Sequence, residues 1–312
     1  MPFQKLKKIL PEQKKNESIL SIADQVINPN EEITVTIPQD ALPFLNTAMA
    51  THIGTREYQQ DAAYVCDPLD EDGLAFGILC DGMGGTAEGE RASSETVVFM
   101  ANRIVILKDD ESIQAFLEQA AHDVNDLILD QNEQLQQNSG TTLLSVIIKD
   151  HNLYWLSVGD SRIYIIRDGE MVQTTTDHNY ALELQEKVNS GLLSQEEADS
   201  DPKREHLISY IGAPFLERID VNLIPFKLKE NDIVLLCSDG LTKALYTEEI
   251  FDLILRCGTN IAESARLLPL EALSKSPDAL DNTTVILMQY LGDTGRFLDE
   301  QENSPDTAQS CT

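Results

Sequence analysis

Two apolar runs in this 312-residue chain end in the same way, and together they constrain the fold more than any other feature. Ile78-Leu79-Cys80 runs into Asp81-Gly82-Met83-Gly84-Gly85, and Ile233-Val234-Leu235-Leu236-Cys237 runs into Ser238-Asp239-Gly240. A short apolar run bounded by turn residues reads as a buried strand. Each strand then delivers a carboxylate to the rim of a sheet, with glycines beside it that let backbone approach closely. Asp-Gly after a strand is also ordinary hairpin punctuation, and either pair alone is consistent with a turn. Two strands that push carboxylates out at the same end supply the oxygen ligands that a hard divalent cation such as Mg2+ or Mn2+ takes.

The rest of the chain repeats the theme. A strand through His52 is followed by Gly54-Thr55-Arg56-Glu57-Tyr58-Gln59-Gln60-Asp61 and a strand from Ala62 to Cys66. Arg56 offers a planar fork matched to phosphate oxygens and Asp61 an acceptor for a metal or its water, although taken alone the two read more readily as a surface ion pair. Leu153 to Val158 ends in Gly159-Asp160-Ser161-Arg162, and Asp281-Asn282 stands just before a last strand from Thr283 to Tyr290. The turns Asp150-His151-Asn152 and Arg167-Asp168-Gly169-Glu170 join successive strands into an antiparallel meander, and one strand is expected over 219–228. Helices are expected from Thr86 through Ile104, over 109–137, and near 247–256 and 260–274. The second carries Ile113, Leu117, Ala120, Val124 and Leu127 on one face and acidic residues with no Lys or Arg elsewhere, the pattern of a solvated outer helix. Strands joined by tight turns and framed by long helices indicate an α+β sandwich and exclude a doubly wound parallel sheet.

Between strands, residues 177–206 form a polar insertion with a glycine stop at Gly191 and a Ser194-x-x-Glu197 capping box, a candidate flap over a site at the sheet edge. Residues 1–45 read as an N-terminal extension in which Ile33, Val35 and Ile37 alternate as a short edge strand; 46–291 form one domain; 292–312 are expected to be a disordered acidic tail. The formal net charge of −30 repels nucleic acid and anionic membrane surfaces. It repels phosphorylated substrates too, so any phosphate-handling site must overcome the global field with local metal charge. Five cysteines without paired spacing fit reduced thiols, no apolar stretch has membrane-spanning length, and the Lys-rich start lacks a signal peptide's apolar core. A cytoplasmic protein is the expectation.

In chain order, Gly-x-Arg56-x-x-Gln-Gln-Asp61, Asp81-Gly-Met-Gly-Gly, Ser139-Gly-Thr-Thr, Val158-Gly-Asp160-Ser-Arg, Asp177-His178, Ser238-Asp239-Gly-Leu and Asp281-Asn-Thr-Thr-Val resemble the metal-dependent type 2C serine/threonine protein phosphatases, especially their bacterial branch. The resemblance spans residues 47 to 290. It implies an α-β-β-α sandwich of two antiparallel sheets flanked by helix pairs, and two or three Mg2+ or Mn2+ ions. Asp81 would bridge two ions, with the Gly82 carbonyl as a further ligand. Asp239 and Asp281 would hold an ion on the other side, Asp61 would reach it through water, and Asp160 with Asp239 would match a third position. Asp81 and Asp239 would thus act through metal-activated water, and Arg56 would bind the substrate phosphate. The implied partners are phosphorylated proteins and a cognate Ser/Thr kinase, and a monomer is expected. A catalytically inactive scaffold of the same fold and a small phosphate-ester hydrolase are the alternatives.

The chain departs from the family where a proton donor for the leaving group is expected. Positions that hold a histidine in many relatives are Met83 and Thr86 here. That leaves metal-bound water as the first candidate and His52 as the second; for His52 and His178 a structural hydrogen-bonding role is the simpler expectation.

Overall fold

Alternation along the central strands explains why the chain folds into four layers. The computed structural model describes residues 34–36, 44–66, 74–85, 88–108 and 111–292. In β4 (Ala75–Met83), Phe76, Ile78 and Cys80 pack under α1 (Glu88–Ile104) and α2 (Ile113–Leu135), whereas Ala75 and Leu79 face the opposite sheet. In β12 (Ile233–Cys237), Ile233, Leu235 and Cys237 pack under α5 (Asp239–Ala244), α6 (Thr247–Cys257) and α7 (Ile261–Lys275), whereas Val234 and Leu236 enter the space between the sheets. Strands buried on both faces must be apolar at every position, which is why both runs lack the polar alternation of a half-exposed strand.

The first sheet contains β1 (Thr34–Thr36), β2 (Leu45–His52), β13 (Thr283–Tyr290), β12, β8 (Arg162–Arg167) and β9 (Glu170–Gln173), in that order. The second contains β10 (Asp220–Val221), β7 (Asn152–Val158), β6 (Leu143–Lys149), β4 and β3 (Asp61–Cys66); β11 (Phe226–Lys227) pairs with β7 and β5 (Gly140–Thr141) with β4. All these pairings are antiparallel. The α-β-β-α sandwich expected from the sequence is therefore the fold, and β1 is its edge strand.

One expectation and one alternative need correction. The single strand over 219–228 is two short ones, because the Asn222 side chain takes over the ladder: it accepts from Trp155 N (2.8 Å) and donates to Leu153 O (3.1 Å) and Ile224 O (3.0 Å). Leu223 and Ile224 are thereby expelled to the surface. Asp239-Gly240 is not a turn between strands, since α5 starts at Asp239. The insertion holds α3 (Tyr180–Asn189) and α4 (Gln195–Asp199), and Ser194 and Glu197 form the expected capping box. Apart from Thr34–Thr36, Phe44, Leu45 and Gly292, the expected N-terminal extension and acidic tail lie outside the described residues. Cys80 and Cys237 are buried free thiols, and Cys257 is a half-buried one.

Candidate active site at one end of the two sheets

Register gathers the acidic residues at one end of the sandwich. Asp61, the first residue of β3, lies directly opposite Asp81 in β4. In the other sheet Cys237 at the end of β12 lies opposite Val285 of β13 and Arg162 of β8. Asp239 therefore leaves the sheet between Asp281, which precedes β13, and Asp160, which precedes β8. Asp81, Gly82, Asp160, Asp239, Asp281 and Arg56 line one cleft of about 560 Å³; Glu205, His206, Leu207 and Tyr210, at the C-terminal end of the insertion, line it too. Asp61 is buried behind it.

Asp81 is held through its backbone. Asp81 N donates to Thr142 Oγ1, and its carbonyl accepts from Thr141 Oγ1 and Thr142 N, all at 2.9 Å. Gly82 N donates to Gln60 O at 3.0 Å, and a Cβ at Gly82 would lie 2.2 Å from Gly89 O, so only glycine fits there. Gly240 is confined in the same way, with Asn282 O 2.1 Å from where a Cβ would stand. Ser238 Oγ joins the sheets: it donates to Asp61 Oδ2 (2.8 Å) and accepts from Thr284 N (2.9 Å). Asn282 fastens the Arg56 loop, donating to Ile53 O (2.8 Å) and Tyr58 O (3.1 Å) and accepting from Gln60 N (2.8 Å).

The electrostatics are those of crowded like charges. Burial, opposed by bonds from Thr284 and Ser238 and reinforced by repulsion from Asp239 and Asp281, pushes the Asp61 carboxyl up to about 7. Burial and Asp239 push Asp160 up to about 7 as well, against Lys243, which lowers it. Asp81 is held well above the usual carboxylate range by burial and by Asp61, Asp239, Asp160 and Asp281. Two cations relieve part of this: Arg56 donates to Asp281 Oδ2 at 2.7 Å, and the Lys243 ammonium pairs with Asp239. Burial opposes the charge on Lys243, yet Asp239, Asp281 and Asp160 raise its affinity for a proton. Asp61 Oδ1 and Asp239 Oδ1 are buried without a hydrogen-bond partner. Among the described residues, no three Asp, Glu, His or Cys side chains are drawn together as a ready-made ligand set.

The histidines sort differently. His52 is buried, its Nδ1 accepting from Gly54 N at 2.8 Å, and it does not line the cleft. His178 is buried too; its Nδ1 accepts from Gly159 N at 3.2 Å, and Nε2 lies 3.5 Å from Asp220. Sequence reasoning missed Lys243, whose spacing of one helical turn from Asp239 was the available signal. It also missed His206, for which local sequence gives no signal.

Solved structures similar to this fold include bacterial serine/threonine phosphatases. The fold superimposes on the Streptococcus agalactiae serine/threonine phosphatase with a TM-score of 0.68, at 28% identity, covering 83% of this chain and 99% of that one. It is similar to the catalytic domain of the serine/threonine protein phosphatase PstP in complex with two manganese ions, with a TM-score of 0.64, 28% identity and coverage of 83% and 100%. In sequence it is 30% identical over 239 residues to the serine/threonine phosphatase stp of Listeria innocua, covering 75% of this chain and 91% of that protein. Residues 50–275 match the family described as Protein phosphatase 2C, and the chain belongs to that family.

Proposed function

We propose that this chain is a monomeric, cytoplasmic protein phosphatase that hydrolyses phosphoserine and phosphothreonine with two or three Mg2+ or Mn2+ ions and opposes a Ser/Thr kinase. The observation that carries the reading is the opposed pair Asp61 and Asp81. Like charges directly across an antiparallel pair are destabilising, and here both are enclosed beside three further carboxylates. A fold retains such a cluster when a cation offsets it. The donor set fits: it is all oxygen, as hard divalent cations require, and Asp61 Oδ1 and Asp239 Oδ1 lack any other partner.

In this reading Asp81, the Gly82 carbonyl, Asp239 and Asp281 would hold the cations, Asp61 would assist from behind them, and Asp160 with Asp239 would offer a further position. When bound, the cations activate water and neutralise charge on the transferring phosphoryl group. The chain does the rest. Gly82 and Gly240, packed against backbone, keep the two Asp-Gly corners in register across the cleft. Arg56, exposed and tethered to Asp281 alone among its described ion pairs, turns its fork to the phosphoryl oxygens once that carboxylate is engaged elsewhere. Similarity to proteins named serine/threonine phosphatases supports the substrate class, and retention of all five carboxylates argues against an inactive scaffold.

The test is release of phosphate from a phosphothreonine peptide and from a small aryl phosphate, with and without Mn2+. Mn2+-dependent turnover of the peptide, lost in Asp239→Asn, is expected. Turnover of the aryl phosphate alone would favour a small-ester hydrolase; no turnover of either would end the enzyme reading.

A further inference from the structure

Hydrolysis of an alkyl phosphate leaves a strongly basic alkoxide unless a proton reaches the leaving oxygen, and the Asp81 loop has none to give. Met83, directly after Asp81-Gly82, carries a thioether, and the loop contains no histidine. Across the cleft stands a side chain that can: His206 lines the same cavity as Asp81, Gly82 and Met83, and it is exposed to the solvent that fills it. We propose that His206 is the general acid of this phosphatase, donating the proton that the leaving serine or threonine oxygen needs. The inference rests on the phosphatase reading above.

The backbone holds this imidazole on a strap stitched from both sides. His206 N donates to Lys203 O and its carbonyl accepts from Tyr180 N, both at 2.8 Å, while Ile208 N donates to His178 O at 2.9 Å. Farther on, Ile211 and Thr141 exchange two bonds of 2.9 Å, and Thr141 in turn pairs with Gly82. Isolated bridges thus tie the strap, through Thr141, to the residue beside Asp81. Tyr210, on the same wall, packs its ring against Gly140, 2.5 Å from where a Cβ there would stand. Imidazole is the commonest side chain in proton transfer to a reacting group, and a positioned one contributes about 10²- to 10⁴-fold.

The step balances. As the water oxygen bonds to phosphorus, the bond from phosphorus to the substrate oxygen breaks and its electron pair stays on that oxygen. The imidazolium of His206 gives its proton to that oxygen, releasing a neutral alcohol. The imidazole then regains a proton from solvent, which has received the one surrendered by the attacking water.

Because a residue that merely contacts the peptide would also slow peptide turnover, the decisive probe is a pair of small substrates that differ in leaving group. For His206→Gln, kcat on a phosphothreonine peptide and on phenyl phosphate is expected to fall about 100-fold, and on p-nitrophenyl phosphate, whose phenolate departs without help, to change less than about twofold. Mn2+ binding by calorimetry should match that of the unmodified chain, which reports an intact fold. Equal loss on both aryl phosphates, or no loss on phenyl phosphate, with Mn2+ binding intact, overturns the role of His206. An unmodified chain inert toward all three substrates overturns the phosphatase reading itself, and this role with it.

Discussion

Replacing Asp61 with Asn is expected to stabilise the metal-free chain, the opposite of what changing a buried, hydrogen-bonded residue ordinarily does. Asp61 is 7% exposed. Burial, reinforced by Asp239 and Asp281, lifts its carboxyl from 3.8 to about 7. At about 1.4 kcal/mol per unit, the ionised side chain costs the metal-free fold on the order of 4 kcal/mol. The folded value lies above the unfolded one, so this cost is fully present above pH 7, shrinks as the pH falls through 7 and is gone below 3.8. Asparagine gives up the charged bond from Ser238, about 1.5–3 kcal/mol, leaving a net gain of roughly 1–3 kcal/mol. For a domain of this size that raises Tm by roughly 2 to 6 °C. The assay is thermal unfolding of both proteins in chelator at pH 8 and pH 5, followed by Mn2+ addition at pH 8. The variant should melt higher at pH 8, lose that advantage at pH 5, and respond less to Mn2+. A variant that melts lower at pH 8, or whose offset is the same at both pH values, refutes the argument that crowded charge strains this site.

Three more outcomes follow from the same geometry. Lys243→Met removes the ammonium that competes for Asp239, so calorimetry should show Mn2+ binding tightened by about 1 kcal/mol, roughly fivefold. Gly82→Ala drives a methyl to 2.2 Å from Gly89 O and 2.6 Å from Gln60 O, both backbone atoms; a loss of about 3 kcal/mol in denaturant unfolding, together with loss of Mn2+-dependent turnover, is expected. Asp232, 1% exposed at the far end of β12, accepts from Arg167 (2.8 Å) and Lys229 N (2.6 Å); Asp232→Ala should cost about 3 kcal/mol of stability while leaving activity per folded molecule unchanged.

What could be read in the sequence was whatever depends on neighbours along the chain. Continuous apolar runs at Ile78 and Ile233 announced strands buried on both faces, and Asp81 and Asp239 announced their ends, because strand burial and strand termination are local signals. The Ser194 capping box was legible for the same reason. The break between Val221 and Phe226 was not, since a strand pattern does not say that the Asn222 amide will occupy the hydrogen bonds of Leu153 and Trp155 on another strand. The four-residue spacing of Lys243 from Asp239 becomes a signal only once the strand is known to turn directly into a helix, which the residues around Asp239 do not say. His206 is the clearest case: nothing in Lys203-Arg204-Glu205-His206 marks the residue, and it faces the cleft only because Tyr180 and Thr141, both distant in sequence, fix the strap.

The two cations at the cleft imply an order of events. Arg56 on Asp281 and Lys243 on Asp239 offset two carboxylates, while Asp61, Asp81 and Asp160 resist ionisation instead. A phosphate dianion approaching that arrangement meets further negative charge, inside a chain of net charge −30. Arg56, the side chain proposed to take that phosphate, is engaged with Asp281. Divalent cations held as proposed would alter all three conditions together: they would favour ionised carboxylates, reverse the local sign of charge, and compete with Arg56 and Lys243 for Asp281 and Asp239. Arg56 becomes available to the substrate as the site becomes attractive to it. On this reading the metal ions bind first and the phosphoprotein second, and the ion pair between Arg56 and Asp281 keeps the phosphate-binding side chain at the cleft until then.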